Sequence, residues 1–197
     1  DDFSKQKNPL EYNYLRNPHM EHYERDMKNA CLVLTGTDVT LSDMDAPTIQ
    51  MVRQREFCAT AGVTVFPANV QKDGRLGLAA FYSNDYHYEI YYTEKDGSGR
   101  ICLSRRIHDL EAVTAEHEVS EVSEKEALRL RIIADKESYR FYYSLGAEAP
   151  YVYLGCGDTA GLCTEITRTM TFTGVYFGMF AERATGAFRE FNVIYEE

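Results

Sequence analysis

Short runs rich in valine, isoleucine, tyrosine, phenylalanine and threonine recur roughly every 8 to 15 residues along the chain, and this rhythm constrains the fold more than any other feature. The runs are Cys31–Leu34, Ile49–Arg55, Val63–Phe66, Leu76–Tyr82 and Tyr86–Thr93 in the first half. They continue as Ile101–Arg105, Leu128–Ala134, Ser138–Ser144, Tyr151–Gly155, Val175–Ala181 and Phe188–Tyr195 in the second. Between them stand chain-reversing signals: Asp73-Gly74, Asn84-Asp85, Lys95 to Gly99, Asp135-Lys136 and Ala184 to Gly186. Leu128, Leu130 and Ile132 alternate with Arg129 and Arg131, as a strand with one buried face requires. Helical signals are sparse. Asp158–Ile166 reads as a short helix capped by Asp158, Ser123–Ala127 reads as a turn, and no βαβ unit follows any strand. The expectation is an all-β fold, a two-sheet antiparallel β-sandwich spanning residues 1–197 as one domain.

Charge then narrows the partners. Asp and Glu number 31 against 21 Lys and Arg, a formal net charge of -10, which repels nucleic-acid phosphates and anionic lipid surfaces. No apolar run approaches the roughly 20 residues of a membrane-spanning helix. The five cysteines (Cys31, Cys58, Cys102, Cys156 and Cys163) are odd in number, sit mostly in apolar strand-like runs and form no CxxC pair. They read as buried free thiols, with a cytoplasmic location as the expectation. The chain opens Asp1-Asp2-Phe3-Ser4 without methionine and reads as a piece of a longer protein.

Candidate chemistry is thin. Gly155-Cys156-Gly157 with Gly161 departs from dinucleotide-loop spacing, and no crossover helix follows. His117-Glu118 starts a zinc-protease pattern, but Glu121 stands where the second histidine belongs. The five histidines read as surface residues. There is no Gly-x-Ser-x-Gly elbow, no evident cysteine–histidine pair, and no cofactor or metal site is expected. Asp43 and Asp45 are close in sequence but lie on an acidic loop, a weak basis for a glycosidase pair or a cation site. The 15 tyrosines suit sugar stacking and β-core packing alike, and packing claims most of them.

Ala46-Pro47-Thr48-Ile49-Gln50-Met51-Val52-Arg53-Gln54-Arg55 resembles the "P-T-x-x-x-x-R-Q" stretch of the C-terminal β-sandwich domain of family 43 glycoside hydrolases. Thr64-Val65-Phe66-Pro67 is similar to its "T-x-x-F-x-P" strand, Leu76 to Tyr82 to "A-G-L-x-x-Y", and Tyr86 to Ile90 to the hairpin partner. Tyr139 to Ser144 resembles "Y-x-F-x-Y-S", Phe172 to Phe180 resembles "F-T-G-x-x-x-G-L-Y", and Ala187 to Phe191 resembles "A-x-F-x-x-F", followed by Tyr195. The departures are Val52-Arg53-Gln54 in place of "R-R-Q", and tyrosines such as Tyr12 and Tyr14 where a tryptophan often stands.

The resemblance implies a concanavalin A-like jelly roll. It also implies that hydrolysis belongs to a preceding five-bladed propeller with three acidic residues, against which the sandwich packs and to whose sugar pocket it lends a loop. On that basis the partners are the catalytic propeller and a xylose- or arabinose-containing saccharide, with a homo-oligomer possible, and no residue of this chain is catalytic. The expected edge toward the propeller is Asp43–Thr48 with the following strand through Arg53 and Gln54. The candidate pocket or interface residues are Asp43, Asp45, Arg53, Gln54, Tyr82, His87 and Tyr88. Arg53 and Gln54 should point to opposite faces of a regular strand, with Arg53 either making the polar contact or pairing with a neighbouring carboxylate on the sheet. The rival readings are an independent carbohydrate-binding module with a tyrosine-lined groove and a purely structural or oligomerisation sandwich.

Overall fold

Two strands far longer than the sequence rhythm suggests form the spine of the molecule in the computed structural model, which describes residues 1–5, 12–120, 122, 127–167 and 173–196. The strands are β1 (Tyr23–Asp26), β2 (Cys31–Thr35), β3 (Thr48–Arg53), β4 (Ala59–Ser83), β5 (Tyr86–Lys95) and β6 (Ser98–Ile107). They continue with β7 (Leu110–Val119), β8 (Leu128–Ala134), β9 (Ser138–Leu145), β10 (Val152–Asp158) and β11 (Tyr176–Tyr195). Every ladder between them is antiparallel.

β4 and β11 pair along nearly their full length and bend together. Their Leu76–Phe81 and Tyr176–Ala181 halves belong to a front sheet ordered β3-β11-β4-β5-β6-β7. Their Ala59–Pro67 and Gly186–Tyr195 halves belong to a back sheet ordered β1-β2-β11-β4-β8-β9-β10. The ribbon turns the corner where Val70 pairs with Ala184 and Arg75 with Glu182, so that Gln71–Gly74 stands opposite Arg183 alone. Asp73 and Arg183 take positive φ there, at 59° and 46°. Asp73-Gly74 and Ala184 to Gly186 are therefore not the chain reversals expected of them. Turn-forming residues serve equally in a bulge that re-aims a strand, and local sequence does not distinguish the two uses. Asn84-Asp85, Asp96-Gly97 and Asp135-Lys136 do close hairpins, between β4 and β5, β5 and β6, and β8 and β9.

Between the sheets lies one apolar core. From the front come Leu76, Leu78, Tyr88, Ile90, Tyr92, Leu103, Phe177 and Met179, and from the back Leu34, Val65, Leu130, Ile132, Tyr139, Phe141 and Phe188. β8 alternates buried and half-buried residues as expected. At the centre, Tyr88 packs edge-on against Tyr139 and Phe141, with ring centroids 6.2 and 6.4 Å apart. Its hydroxyl, beneath the closed core, donates to Asp158 O at 2.9 Å, and burial pushes its pKa up to about 12. The Gly155-Cys156-Gly157 run is plain strand within β10. A Cβ on Gly157 would lie 2.6 Å from the Tyr88 ring, and one on Gly155 would lie 2.8 Å from Leu103, so these glycines serve close sheet packing.

The acidic segment around His117-Glu118, whose composition fits a surface strand or loop, is the edge strand β7, with a register irregularity against β6 between Leu103 and Ser104. Other expectations are corrected. Asp158–Ile166 holds only a 3-10 turn, Thr159–Leu162, and the Asp158 side chain makes no capping bond. The backbone there is held in place by Thr159 N–H donating to Glu137 O at 3.0 Å and by the Tyr88 bond to Asp158. Residues 123–126 of the expected Ser123–Ala127 turn, and Phe172, lie outside the described residues. All five cysteines are free, but only Cys31 and Cys102 are buried, while Cys156 is exposed because alternation within β10 turns it outward.

Candidate functional site

At the end of the sandwich where β3 and β4 finish and β11 begins, the short segment after β3 is fastened from below. Gln54 N–H donates to Val175 O at 2.9 Å. The Gln54 side chain donates through Nε2 to Glu56 O at 2.9 Å and Phe57 O at 3.3 Å, while Tyr139 O–H donates to its Oε1 at 2.8 Å. Tyr195 O–H donates to Arg53 O at 3.1 Å and accepts from Arg55 N–H at 3.3 Å. Held this way, the segment presents Phe57 at 61% exposure beside a pocket of about 320 Å³ walled by Gln54, Tyr82, Tyr139, Leu162 and Val175. Across the pocket the Tyr82 hydroxyl meets Thr164 Oγ1 at 3.1 Å. Burial raises the Tyr139 pKa, so its hydroxyl stays protonated and acts as a donor rather than a base.

The structure distributes the expected site residues over several places. Gln54 and Tyr82 meet at this end pocket. Arg53 is the exposed last residue of β3, and no ion pair of its guanidinium is found among the described residues. The expected opposition of Arg53 and Gln54 fails in one respect: Gln54 has left the strand and turned in beneath the chain end. Asp43 and Asp45 lie on the loop that crosses the outer face of the front sheet. Asp43 Oδ2 accepts from Thr40 N–H at 2.7 Å and from the Thr40 hydroxyl at 2.9 Å, which holds its carboxyl below the usual range and fits it poorly for donating a proton. Asp45 Oδ1 accepts from Ala46 N–H, and Arg16 ties Asp45 O and Asn84 Oδ1 together. Tyr88 is wholly in the core.

His87 is not the surface residue expected. It is 1% exposed on the outer face of the front sheet, stacked on Phe81, with Nδ1 3.0 Å from Ser83 O and Nε2 3.1 Å from Glu89 Oε1. Glu89 is fully buried and shares Arg75 with Glu182, itself 1% exposed. The contacts are 3.1 Å from Arg75 Nη1 to Glu89 and 2.5 Å from Arg75 Nε to Glu182. Glu182 Oε1 also accepts from Leu41 N–H at 2.7 Å, fastening the crossing loop. Desolvation and the neighbouring Glu89 push Glu182 up to about 7, whereas Arg75 and His87 hold Glu89 low. Divergent carboxyls of this kind can serve as an acid and base pair. Here the guanidinium between them and their complete burial leave no room for a scissile bond. The cluster was not recognised from sequence, although a lone glutamate inside Tyr-His-Tyr-Glu-Ile-Tyr-Tyr was its signal.

Comparison with known proteins follows the same lines. The family described as the β-xylosidase C-terminal concanavalin A-like domain matches residues 1–192. The chain belongs to this family. The non-reducing end α-L-arabinofuranosidase BoGH43B of Bacteroides ovatus is 28% identical over 182 residues, covering 92% of this chain and 33% of its own length. The chain thus spans about a third of that relative. Among solved structures, the Bacteroides ovatus Xyloglucan PUL GH43B superposes with a TM-score of 0.88 at 24% identity, over 100% of this chain and 39% of that one. BlXynB of Bacillus licheniformis gives 0.90 at 20%, over 100% and 39%. At these identities the superpositions establish the fold, the concanavalin A-like sandwich expected from the resemblance.

Proposed function

We propose that this domain is the non-catalytic accessory sandwich of a family 43 glycoside hydrolase acting on xylosides or arabinosides, and that it packs on the catalytic propeller and helps close its sugar pocket. The observation that carries the reading is the end pocket. A fastened segment presents Phe57 outward, and a half-buried glutamine and a buried tyrosine spend their hydrogen bonds on holding that segment in place. An exposed phenylalanine on a preorganised loop is suited to contact with another apolar surface and loses little entropy on docking. The names of the matched relatives supply the substrate class. Arg53, Asp43 and Asp45 are placed on the docking side in this reading. The free thiols support a reducing, cytoplasmic setting.

In the two-domain enzyme, Phe57→Ala and Gln54→Ala should each lower kcat/KM on nitrophenyl xyloside or arabinofuranoside roughly 10-fold while the sandwich stays folded, and the 197-residue chain alone should show no turnover. Unchanged kinetics in both variants would refute the docking role.

A further inference from the structure

The outer face of the front sheet is covered on one side only. The crossing loop buries Leu41 among Ile49, Ala79, Phe81 and Phe180, on the β3, β11 and β4 side. The loop reaches β7 where Ser42 O–H donates to Glu111 Oε2 at 2.9 Å; beside Val113 and Glu116 the cover ends, and a cavity of about 410 Å³ opens there, within the roughly 300–1,000 Å³ range of small-ligand sites. Strand register dictates its floor. Glu182, Arg75, Thr93 and Arg100 are cross-strand neighbours in one row, and Tyr91, Cys102 and Glu116 follow in the next. The ladder spacing therefore sets guanidinium, hydroxyl and carboxylate groups side by side without any loop having to place them.

These groups are already fixed. Arg75 is clamped by Glu182 and Glu89 with its guanidinium 5.3 Å from the Tyr91 ring centroid. Arg100 Nη1 holds Glu116 Oε1 at 2.5 Å, and the Thr93 hydroxyl donates to Gly74 O at 2.7 Å, leaving its oxygen able to accept. Four basic and four acidic side chains line the cavity, with the half-exposed Val113 at its edge. An anion would meet the carboxylates, a cation the guanidinium groups, and an apolar ligand would strip water from ions without replacing it. A neutral ring carrying adjacent hydroxyls can donate to the carboxylates and accept from Arg100 and Arg75 at once, with its C–H face toward Val113. Glu182 here lies six positions along β11, roughly 20 Å of strand, from Tyr176 at the end-pocket side.

The geometry points to this cavity as a binding subsite for one or two rings of a neutral saccharide, separate from the end pocket and independent of whether that end docks a propeller. Titrating the 15N-labelled chain with xylotriose should give saturable shifts of the Thr93, Arg100 and Cys102 amides, with a Kd on the order of 1 mM. Arg100→Ala and the more exposed Glu116→Gln should each raise Kd at least about tenfold with the remaining spectrum unchanged, and glucuronate should bind more weakly than xylose. Absence of saturable shifts, shifts that neither variant diminishes, or tighter binding of glucuronate would overturn the assignment. Loss of turnover in the docking variants would leave it intact.

Discussion

Replacing Arg75 with methionine tests whether the front sheet depends on its buried charges. The substitution keeps a long flexible stem but removes the cation shared by Glu89 and Glu182, 0% and 1% exposed, leaving Glu89 its His87 contact. Breaking a buried pair from one side costs about 3–5 kcal/mol, and the lost stacking on Tyr91 adds about 0.5–1 kcal/mol. For a chain of this length each kcal/mol moves Tm by roughly 2–4 °C, so the variant should melt on the order of 10 °C below the parent at pH 8. The loss should depend on pH in a defined direction. Without Arg75 both folded-state carboxyl pKa values rise above their unfolded values, so the variant's stability falls as pH increases from about 4.5 upward. At pH 5 Glu182 is already protonated in the parent, because its pKa of about 7 lies above that pH. Only the Glu89 pairing then separates the two proteins, and the difference should shrink to about half. Thermal or urea unfolding at pH 5 and pH 8 measures both numbers. A loss under about 1 kcal/mol at pH 8, or an equal loss at the two values, would refute the reasoning.

Glu182→Gln should remove the fall in stability that the parent shows as pH rises from about 4.5 toward 7, on the order of 3 kcal/mol at most, because the amide is neutral throughout; parallel unfolding-versus-pH curves for the two proteins would contradict this. Gly157→Ala should destabilise by about 1–3 kcal/mol, since its Cβ would fall 2.6 Å from the Tyr88 ring, and an unshifted denaturation midpoint would show that Tyr88 yields freely. Thiol titration should count five in the denatured chain without reductant. In the native chain exposed Cys156 should react first and Cys102 slowly, as burial pushes its pKa up to about 11. A denatured count of one would mean two disulfides.

The back sheet was the more legible half of the fold. Leu128–Ala134 and Ser138–Ser144 alternate because one face meets the core and the other meets water, which is the condition under which a period of two survives in sequence. The spine strands were not legible as single elements. Pro67, Asp73, Gly74 and Gly186 interrupt the propensity of β4 and β11 at the corner, and only the long-range pairing of Val70 with Ala184 and of Arg75 with Glu182 shows that the chain continues across the gap instead of turning back. β7 was underestimated for the opposite reason. As an edge strand exposed over most of its length, it can be built of Glu111, Thr114, Glu116 and Glu118, with no apolar stripe to announce it.

β5 shows why the site was harder to read than the fold. Tyr86, Tyr88, Ile90 and Tyr92 face the core, while His87, Glu89 and Tyr91 lie under cover on the other side, so the run has no alternation and reads as continuous strand. A buried glutamate in such a run demands a cation, yet nothing local names Arg75, which stands opposite Thr93 and reaches Glu89 diagonally across the ladder. Gln54 poses the converse problem. Its value lies in Tyr139 and Phe57, one 85 residues away on the other sheet and the other exposed. The resemblance brought Gln54 to notice; the hydrogen bonds show it ordering the chain that walls the end pocket. A sheet buried on both faces leaves a ligand only its ends and the margin where its cover stops. The end pocket around Gln54 and the cavity between Tyr91 and Glu116 occupy these two places.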